Sequence, residues 1–597
     1  MCAIAGVISQ EQITEKEINN VGNMLKIMKH RGPDGSRVET FINAVFGHNR
    51  LSIIDLNKRS SQPFSYLNKR YWIVFNGEIY NYLEVKNILI KNGYLFNTTS
   101  DTEVILAAYD KWGIKSFNKF NGMFAFCIFD RKTSEYIIVR DRFGVKPLYY
   151  LVKEKKMFFA SEIKSFLGVT EKFKINNSAI KEFVKYTRSD YKKSTFITDI
   201  KQIQGGHYIR LKKNNIDKVR QMKWYYGSDY KIDDCIFSNK QKTLEYIENL
   251  LIDAIRIRYR SDVPVCLTLS GGIDSTVIYI LTKEKINNTI IPFTYRHIGS
   301  KTDEYNIVKR LTQHYKDKVN IVYCKNKVSI SELKKSMYFL EFPIWNPSGI
   351  AYFDMYKKIK DNGYKVVLEG HGSDEQFGGY PYMIEEAWKE KLNNFNIIDA
   401  WKIFEVYRNT ENSNLIKNSI FKKSMLIRFL KYYFDKFIKK DKRIYSFDKT
   451  VNNAFNKDII PMVLRTFDRL SMSNSIESRS PYMDYRVVEF VKKMPLKYKI
   501  DKIGSKAILR EILKKYGFDY IYKNKKKTGF SIDVPKFVNQ KLIKKFFIEC
   551  IKMSNINYKG IDMDKLKAII QKNAWGWSDI EPIWKIVSIS LIKKNYE

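Results

Sequence analysis

The 597-residue sequence lacks several features that define major classes of protein. Its six cysteines form no CxxC pair and have no metal-ligand spacing with the six histidines, so neither a disulfide framework nor a zinc site is indicated. No run of about 18 apolar residues occurs, which excludes a spanning helix. The apolar segment Met1–Ser9 has no basic leader and is not typical of a signal peptide. We therefore expect a cytoplasmic protein with no membrane partner.

Acidic residues are scarce beside basic ones, 64 against 105, which gives a formal net charge of +41. Such an excess ordinarily suggests a nucleic-acid or membrane-surface partner. The lysines, however, are spread along the whole chain, as at 153–156, 439–442 and 523–527, and do not form one stripe. This distribution indicates solvated faces, and we expect no nucleic-acid partner.

The length exceeds what one hydrophobic core supports, so the sequence predicts more than one domain. Apolar residues at helical spacing from Ile18 to Met28 predict a helix that covers a β-rich region. We place this first domain at residues 1–215. Short β-branched and aromatic runs predict its strands at Ala3–Ile8, Trp72–Val74, Phe124–Ile128 and Tyr136–Arg140.

A weakly patterned polar stretch between about 225 and 241 separates this domain from a second one, placed at 236–597. The second domain begins with an amphipathic helix over 244–255 and a buried strand at 265–269. Further strands are predicted at Ile290–Thr294, Val319–Val322 and Lys365–Leu368. Their alternation with helical stretches predicts an α/β parallel sheet, followed from about Glu385 by a helical and basic C-terminal part.

Cys2 directly follows the initiator methionine, and removal of that methionine would give Cys2 a free α-amino group. An α-amine with a pKa near 8 can accept the thiol proton, so the thiolate can attack a carbonyl without a histidine. Position two alone is more simply explained by a small residue entering a strand. The motifs that accompany Cys2 favour the nucleophile.

Those motifs supply the parts of an amino-acid pocket. Asn76 and the backbone amide of Gly77 can form an oxyanion hole, and Arg50 can pair with an α-carboxylate. Glu78 with Asp101 can hold an α-ammonium group. We therefore predict a pocket for a zwitterionic amino acid whose side-chain amide is attacked. The motifs lie at 31–35, 47–55, 75–81 and 100–103.

The order of these motifs, with the segment RDRFGVKPLYY at 140–150, resembles the glutaminase domain of the asparagine synthetase B family. The resemblance covers most of residues 1–165. It implies an N-terminal-nucleophile fold, with stacked antiparallel sheets between helices, that binds and hydrolyses glutamine. The residues so implied are Cys2, Arg50, Asn76, Gly77, Glu78 and Asp101, joined by Leu51, Ser52, Ile53 and Ile54.

A second motif, SGGIDS at 270–275, lies between a buried strand and a helix, where glycines and helix N-terminal amides can approach an anion. A lone Ser-Gly-Gly is usually a turn, and the P-loop lysine is missing. The full motif resembles the pyrophosphate loop of enzymes that split ATP into AMP and pyrophosphate, an adenine nucleotide alpha hydrolase-like fold. The resemblance implies that ATP contacts Leu269, Ser270, Gly271, Gly272, Asp274, Ser275, Tyr295, Glu369 and Gly370.

Asp274 and Asp374 are the expected Mg²⁺ ligands, and Lys506 is expected to stabilise charge during adenylation or amide formation. Each of these carboxylates, taken alone, is more simply a surface group. Further family motifs follow in the same order at 303–304, 369–380, 468–469, 480–484, 506 and 510.

His371 is a departure from the family, which has Ser-Gly-Glu-Gly-Ala-Asp-Glu where this chain has Glu-Gly-His-Gly-Ser-Asp-Glu at 369–375. Imidazole can accept a proton near neutral pH, so we expect a catalytic role for His371. Unlike the glutamate of the family, it does not carry a fixed negative charge. A harmless substitution is the alternative interpretation.

These observations together predict a glutamine-dependent asparagine synthetase that converts ATP, aspartate and glutamine to AMP, pyrophosphate, asparagine and glutamate. Its expected ligands are small molecules, with ATP and Mg²⁺ required, and a homodimer is left open. Amidation of another carboxylate, such as a sugar acid of a surface polysaccharide or a peptide, is the first alternative. A tRNA-modifying ATP pyrophosphatase is a more distant one, because the persulfide cysteine pair typical of such enzymes is not supplied.

Overall fold

The computed structural model describes residues 2–227, 230–287, 289–296, 298–299, 303–324, 329–344, 346–411, 430, 445–524, 534–553 and 563–596. The lysine runs at 439–442 and 525–527 lie outside these residues. The strands, numbered in chain order, are β1 Ala3–Ser9, β2 Gly35–Phe41, β3 Ala44–Arg50, β4 Phe64–Tyr66, β5 Tyr71–Ile79, β6 Gly122–Asp130, β7 Glu135–Arg140, β8 Tyr149–Lys153, β9 Lys156–Ala160, β10 Ile200–Gln202, β11 His207–Lys212, β12 Gln221–Lys223, β13 Val265–Thr268, β14 Ile291–Arg296, β15 Asn320–Tyr323, β16 Val366–Leu368 and β17 Glu477–Arg479.

The α-helices connect and cover these strands. Numbered in the same way, they are α1 Glu15–Ile27, α2 Tyr82–Ile90, α3 Asp101–Trp112, α4 Ser116–Lys119, α5 Asn177–Tyr186, α6 Lys240–Arg258, α7 Ile273–Lys285, α8 Tyr305–His314, α9 Ile330–Leu340, α10 Ala351–Asp361, α11 Ser373–Gln376, α12 Pro381–Asn393, α13 Ile397–Glu411, α14 Phe447–Asn453, α15 Ile460–Met472, α16 Tyr485–Lys493, α17 Leu496–Lys499, α18 Ala507–Lys515, α19 Asp519–Tyr522, α20 Val534–Val538, α21 Lys541–Met553, α22 Met563–Gln571 and α23 Trp577–Tyr596.

Two antiparallel six-stranded sheets form the N-terminal part of the chain. Their strand orders are β10-β8-β9-β1-β3-β2 and β12-β11-β7-β6-β5-β4. Successive side chains of β1 point to opposite faces of its sheet. Ile4 and Ile8 therefore enter the apolar cluster between the two sheets, whereas Ala5 and Val7 pack beneath α1. Both faces of β1 are buried, which explains why this strand is apolar up to Ser9, and Cys2 directly precedes it.

A five-stranded parallel sheet forms the core of the C-terminal part, in the order β15-β14-β13-β16-β17. Helices α7 and α8 are the crossovers between its first three strands in the sequence. The carboxyl ends of neighbouring parallel strands meet at one edge of a sheet. The loops that follow β13 and β16 therefore lie side by side, and a Cβ added to Gly370 would lie 3.0 Å from Asp274 Cβ.

The two parts of the chain pack against each other through shared apolar clusters. In one of them, Leu51, Tyr80 and Met123 of the N-terminal part lie with Leu251 and Tyr482 of the C-terminal part. The predicted fold class is confirmed: stacked antiparallel sheets between helices, then a parallel α/β sheet with a helical C-terminal part. Among the described helices, none combines the length and the apolar character needed to cross a membrane.

Candidate functional site

The Cys2 thiol lies immediately before β1 and is partly buried. The Cys2 N–H donates to Asn76 Oδ1 at 3.1 Å, and Sγ lies 4.0 Å from the carbonyl oxygen of Leu51. Burial raises the pKa of the thiol, and the carboxylates of Glu477 and Glu78 act in the same direction. The resting thiol is therefore protonated at neutral pH and needs a base beside it. A free α-amino group on the same residue would supply that base.

Asn76, on β5, provides a fixed hydrogen-bond donor beside the thiol. Its side chain is fully buried, and Nδ2 has no hydrogen-bond partner among the described residues. A buried donor without an acceptor is costly unless a ligand completes it. Because Oδ1 accepts from Cys2, the amide is held with Nδ2 available for the oxygen of an attacked carbonyl. Its role in an oxyanion hole stays a prediction that this geometry supports.

Gly77 occupies a backbone position that only glycine fits. Its φ is +150°, and an added Cβ would lie 2.1 Å from the carbonyl oxygen of Met123 on the neighbouring strand. The residue thus keeps β5 and β6 in register beside Asn76.

We expect Gly77→Ala to lower the free energy of unfolding by about 3 kcal/mol or more, because backbone strain and a backbone clash add together. Gly93→Ala is the matched control: Gly93 also has a positive φ, +84°, but nothing lies within 4 Å of an added Cβ. The control should lose only about 1 kcal/mol. Denaturant unfolding measures both, and equal losses would contradict the clash.

Glu78 and Asp101 form an acidic pair close to the thiol, and both are buried. Glu78 Oε1 lies 3.5 Å from Arg479 Nη2, while Oε2 has no hydrogen-bond partner among the described residues. Burial, added to the nearby carboxylate of Glu477, raises the pKa of Glu78 well above its usual range. Buried carboxylates short of cationic partners favour an ammonium ligand. The α-ammonium of glutamine is such a ligand.

Asp101 leads to a pH prediction, because burial raises its pKa to about 7. Below that pH the acid is neutral and attracts an ammonium group less, so kcat/KM for glutamine should fall by up to about tenfold per pH unit below 7. The raised pKa stabilises the fold at low pH, and that contribution is lost as the pH rises through 7. Asp101→Asn should therefore bind glutamine poorly yet unfold at a higher temperature than wild type at pH 8, with no such gain at pH 4. Thermal unfolding at both pH values tests this, and equal differences would contradict it.

Arg50 and the segment after it join the site to the C-terminal part of the chain. The Arg50 guanidinium donates to the carbonyl oxygens of Asp55 and Asn57 and to Ser60 Oγ, so it organises the loop that contains the predicted glutamine contacts. Within that loop Leu51 and Ile53 are buried, Ser52 N–H donates to Asp34, and Ile54 packs against the shared apolar cluster. The glutamine contacts of Arg50, Leu51, Ser52, Ile53 and Ile54 stay predictions.

The loop at 270–275 borders a cavity of about 480 Å³ at the carboxyl edge of the parallel sheet. Gly271 has a φ of +86°, and Ser270 and Ser275 hold the loop closed through their hydroxyl groups, 3.0 Å apart. Helix α7 begins at once, so its first amides point into the cavity, a typical anion site. The predicted ATP contacts that line this cavity are Leu269, Ser270, Gly271, Gly272, Asp274, Ser275, Tyr295, Glu369 and Gly370.

Asp274 and Asp374, the predicted Mg²⁺ ligands, converge on Lys506. Lys506 Nζ lies 2.5 Å from Asp274 Oδ2 and 2.8 Å from Asp374 Oδ1. Within the described residues, no group of three or more His, Cys, Asp or Glu side chains forms a metal cage. Two carboxylates beside an anion loop suit Mg²⁺, which is commonly held by one or two carboxylates and substrate phosphates. The donor set therefore fits the ion, which would neutralise phosphate charge there.

His371 lies where the large cavity meets a smaller one. Its ring lies against Phe467, with ring centroids 3.6 Å apart, and Nε2 lies 3.3 Å from Glu369 Oε2. Glu369 is almost fully buried, and its Oε2 also accepts from Tyr356 and Ser478, while Oε1 accepts from Thr268 Oγ1 at 3.4 Å. Its predicted contact with ATP stays a prediction, as does the catalytic role of His371.

The smaller cavity, of about 30 Å³, lies between the two parts of the chain and shares His371 and Phe467 with the large cavity. Tyr80 and Met123 line it on the side of the N-terminal part, and His371 and Phe467 on the side of the C-terminal part. Tyr80 directly follows β5, the strand of Asn76, and Met123 lies on the neighbouring strand β6.

Several residues of this region carried no predicted role. Arg479, on β17, reaches across the domain boundary to Glu78, and its neighbour on the same strand, Glu477, raises the pKa of the Cys2 thiol. Arg31 and Asp468 pair across the same boundary. Local sequence offers no signal for partners so far apart in the chain, although Arg31 and Asp468 both lie in motifs of the family.

Comparison with known proteins agrees with both halves of the structure. A model described as "Glutamine amidotransferase domain" matches residues 1–226, and one described as "Asparagine synthase" matches 246–592. "Asparagine synthetase [glutamine-hydrolyzing] 1" of Bacillus subtilis is 28% identical over 91% of this chain and 88% of its own.

A "Putative asparagine synthetase [glutamine-hydrolyzing] 2" of Methanocaldococcus jannaschii is 36% identical over 64% of this chain and 76% of its own. An "Amidase chry2" of Gibberella zeae is 28% identical over 88% of each chain. The relatives thus differ in the reaction that their names give. This chain belongs to the asparagine synthase family, with a glutamine amidotransferase domain at its N-terminal end.

Proposed function

We propose that this chain transfers the amide nitrogen of glutamine to a carboxylate that it activates with ATP. In the first pocket, the Cys2 thiolate attacks the carboxamide carbon, and its proton passes to the α-amine of the same residue. Asn76 Nδ2 and the Gly77 amide stabilise the oxyanion that forms. Collapse to a thioester releases ammonia, and water then releases glutamate and restores the thiol.

In the second pocket, an oxygen of the acceptor carboxylate attacks the α-phosphorus of ATP, and pyrophosphate leaves. The 270–275 loop and Lys506 bind the negative charge of the phosphates. Asp274 and Asp374 would hold Mg²⁺, which would supply further positive charge to the phosphates. Ammonia attacks the acyl-adenylate carbonyl, expels AMP and forms the amide, and in this proposal His371 accepts the surplus proton.

The observation that carries the proposal is the small cavity between the two pockets. It is lined by Tyr80, which follows the strand of Asn76, by Met123 of the neighbouring strand, and by His371 of the nucleotide cavity. Ammonia is small enough to use such a path without reaching solvent. The combination of a glutaminase-type pocket and an ATP-type pocket on either side of it supports one coupled reaction.

Aspartate is the first acceptor to test, because the family model and several relatives bear the name asparagine synthase or synthetase. One feature favours a second class, the carboxylate of a sugar acid. His371, Phe467 and Tyr352 form a run of rings in the cavity, with Tyr352 and Phe467 centroids 4.6 Å apart. Flat ring surfaces suit ring-bearing ligands. The tRNA-modifying alternative receives no support from the matched models.

An acceptor screen decides between these classes. Purified protein is incubated with glutamine, ATP and Mg²⁺ plus either aspartate or a series of uronic acids, and pyrophosphate and amide are measured. If aspartate is the acceptor, the incubation with aspartate yields pyrophosphate and asparagine. If a sugar acid is the acceptor, the incubation with aspartate yields only glutamate, and the incubation with a uronic acid yields pyrophosphate. His371→Glu is the companion variant, with His371→Gln as its uncharged control. If activity with aspartate requires a fixed negative charge at position 371, only the His371→Glu variant should gain activity with aspartate.

A further inference from the structure

One residue of the N-terminal pocket connects the two groups predicted to bind the charged ends of glutamine. This residue is Asp55, in the loop 51–57 that follows β3, which we call the glutamine loop. Its carbonyl oxygen accepts from Arg50, the predicted partner of the α-carboxylate. Its Oδ2 accepts from the backbone N–H of Thr99 at 3.0 Å, just before Asp101, a predicted partner of the α-ammonium group. The conformation of Asp55 therefore affects both ends of the pocket.

Asp55 is held in place partly by the C-terminal part of the chain. Its φ is +48°, in the left-handed region, where a residue other than glycine is strained and persists only if surrounding contacts hold it. One such contact is made by the Asp55 N–H, which donates to Asp262 Oδ2 at 2.8 Å. The N–H of Asp262 in turn donates to the carbonyl oxygen of Ile53 at 2.9 Å. Asp262 thus contacts both sides of the turn at 53–55.

Lys365 makes a second contact from the C-terminal part, near the start of the glutamine loop. Its Nζ lies 2.7 Å from Asp34 Oδ2, and the same oxygen accepts from the Ser52 N–H, also at 2.7 Å. Nζ lies 3.5 Å from the carbonyl oxygen of Ser52 as well. Lys365 therefore fixes the carboxylate of Asp34, which in turn fixes the backbone of the loop.

Both contacts come from the amino edge of the parallel sheet. Asp262 lies shortly before β13 and Lys365 directly before β16, and these strands are neighbours in the sheet. The nucleotide cavity lies at the opposite, carboxyl edge, and neither residue lines it. Apolar packing joins the same elements, because Leu51 and Ile53 lie in one cluster with Val265 of β13. One edge of the sheet thus supports the glutamine loop, and the other borders the nucleotide cavity.

We propose that Asp262 and Lys365 are positioning residues that set the affinity of the N-terminal pocket for glutamine. This role rests on the proposed function. Both residues hold the glutamine loop and leave the reacting groups, Cys2 and Asn76, where they are. Their loss therefore weakens the binding of glutamine and spares the chemical step. The support is a permanent part of the fold, so its effect should be the same with and without ATP.

The test measures kcat and KM for the release of glutamate from glutamine by the full chain. Asp262→Ala removes the acceptor of the Asp55 N–H, and KM should rise about fivefold, which corresponds to the usual net contribution of one hydrogen bond. The value of kcat should stay within about twofold of wild type, because binding alone is weakened. Asp262→Asn keeps an oxygen that can accept from the same N–H, so it should restore KM to within about twofold of wild type.

Lys365→Met should raise KM about threefold, less than Asp262→Ala, because an ion pair between partly exposed side chains contributes little. For every variant, the ratio of its KM to that of wild type should not change when ATP and Mg²⁺ are added. Thermal unfolding of each preparation shows whether the variants are folded.

Asp458→Ala and Arg188→Met are the matched controls. Asp458 of the C-terminal part and Arg188 of the N-terminal part form an ion pair across the same boundary, and their side chains are 29% and 26% exposed. The exposures of Lys365 and Asp34 are similar, 34% and 27%. The control pair involves no residue of the glutamine loop, so both control variants should keep the KM of wild type. A merely structural role for boundary contacts would raise KM alike in controls and test variants.

Four results would overturn the inference: a wild-type KM in Asp262→Ala, equal rises of KM in Asp262→Ala and Asp458→Ala, no rescue by Asp262→Asn, or a loss confined to kcat. Lys365→Met with its control Arg188→Met keeps the test decisive if Asp262→Ala does not fold. A wild-type chain that hydrolyses no glutamine would instead overturn the proposed function, so the two failures are distinguishable.

Discussion

Replacing Cys2 with alanine is expected to lower kcat for glutamine hydrolysis by about a thousandfold or more. Ammonium chloride should still support pyrophosphate release within about twofold of wild type, because the nucleotide cavity does not include this residue. The physical reason is that Cys2 supplies the sulfur nucleophile and is the cysteine hydrogen-bonded to Asn76. Assays of glutamate and of pyrophosphate on the same preparation measure the two activities.

Cys235→Ala is the control for this experiment, since Cys235 is an exposed thiol that contacts Asp233 and lines neither cavity. It should hydrolyse glutamine like wild type. Mass spectrometry of the mature chain adds an independent check, because the mechanism requires a free α-amino group on Cys2. A retained methionine, or a Cys2→Ala variant that still hydrolyses glutamine, would contradict the assigned nucleophile.

Lys506→Met should lose pyrophosphate release and keep glutamine hydrolysis, the reverse of the result expected for Cys2→Ala. Lys506 neutralises Asp274 and Asp374, and without it two carboxylates face the phosphates of ATP without the ammonium group that contacts both of them. Pyrophosphate release should fall by about a hundredfold or more, the usual cost of losing a charged contact at a reacting centre. Glutamine hydrolysis measured without ATP should persist, since Lys506 has no contact with the Cys2 pocket.

Lys499→Met is the matched lysine control. Lys499 is also buried and lies 3.5 Å from a carboxylate, that of Asp448, but it lines neither pocket. Pyrophosphate release should remain close to wild type in this variant. If both lysine variants lost it equally, or if Lys506→Met retained it, Lys506 would not have the role assigned here.

The long buried strands and amphipathic helices were predictable from the sequence because one local pattern determines each. β1, β6 and β13 are apolar on both faces, and α6 keeps its apolar spacing over its whole length. β17 was missed. Its three residues, Glu477–Arg479, form no apolar run, and only the parallel neighbour β16 makes them a strand.

The candidate site was predictable to the extent that its residues lie in short motifs. Asn76 lies within hydrogen-bonding distance of Cys2, and Lys506 lies between Asp274 and Asp374, as motif order suggested. Contacts between Arg31 and Asp468, 437 residues apart, could not be inferred from either motif alone. They depend on how the two domains pack. Arg50 holds its own loop, a contact that its charge did not indicate.

The central claim is that nitrogen from glutamine, released at Cys2, becomes the amide of an acid activated by ATP. The most direct test supplies glutamine labelled with ¹⁵N at its side-chain amide, together with ATP, Mg²⁺ and the acids of the acceptor screen, in a large excess of unlabelled ammonium. We predict an amide product that carries ¹⁵N, formed in a one-to-one ratio with pyrophosphate. No pyrophosphate with any acid, or an amide whose nitrogen comes only from the unlabelled pool, would contradict the account.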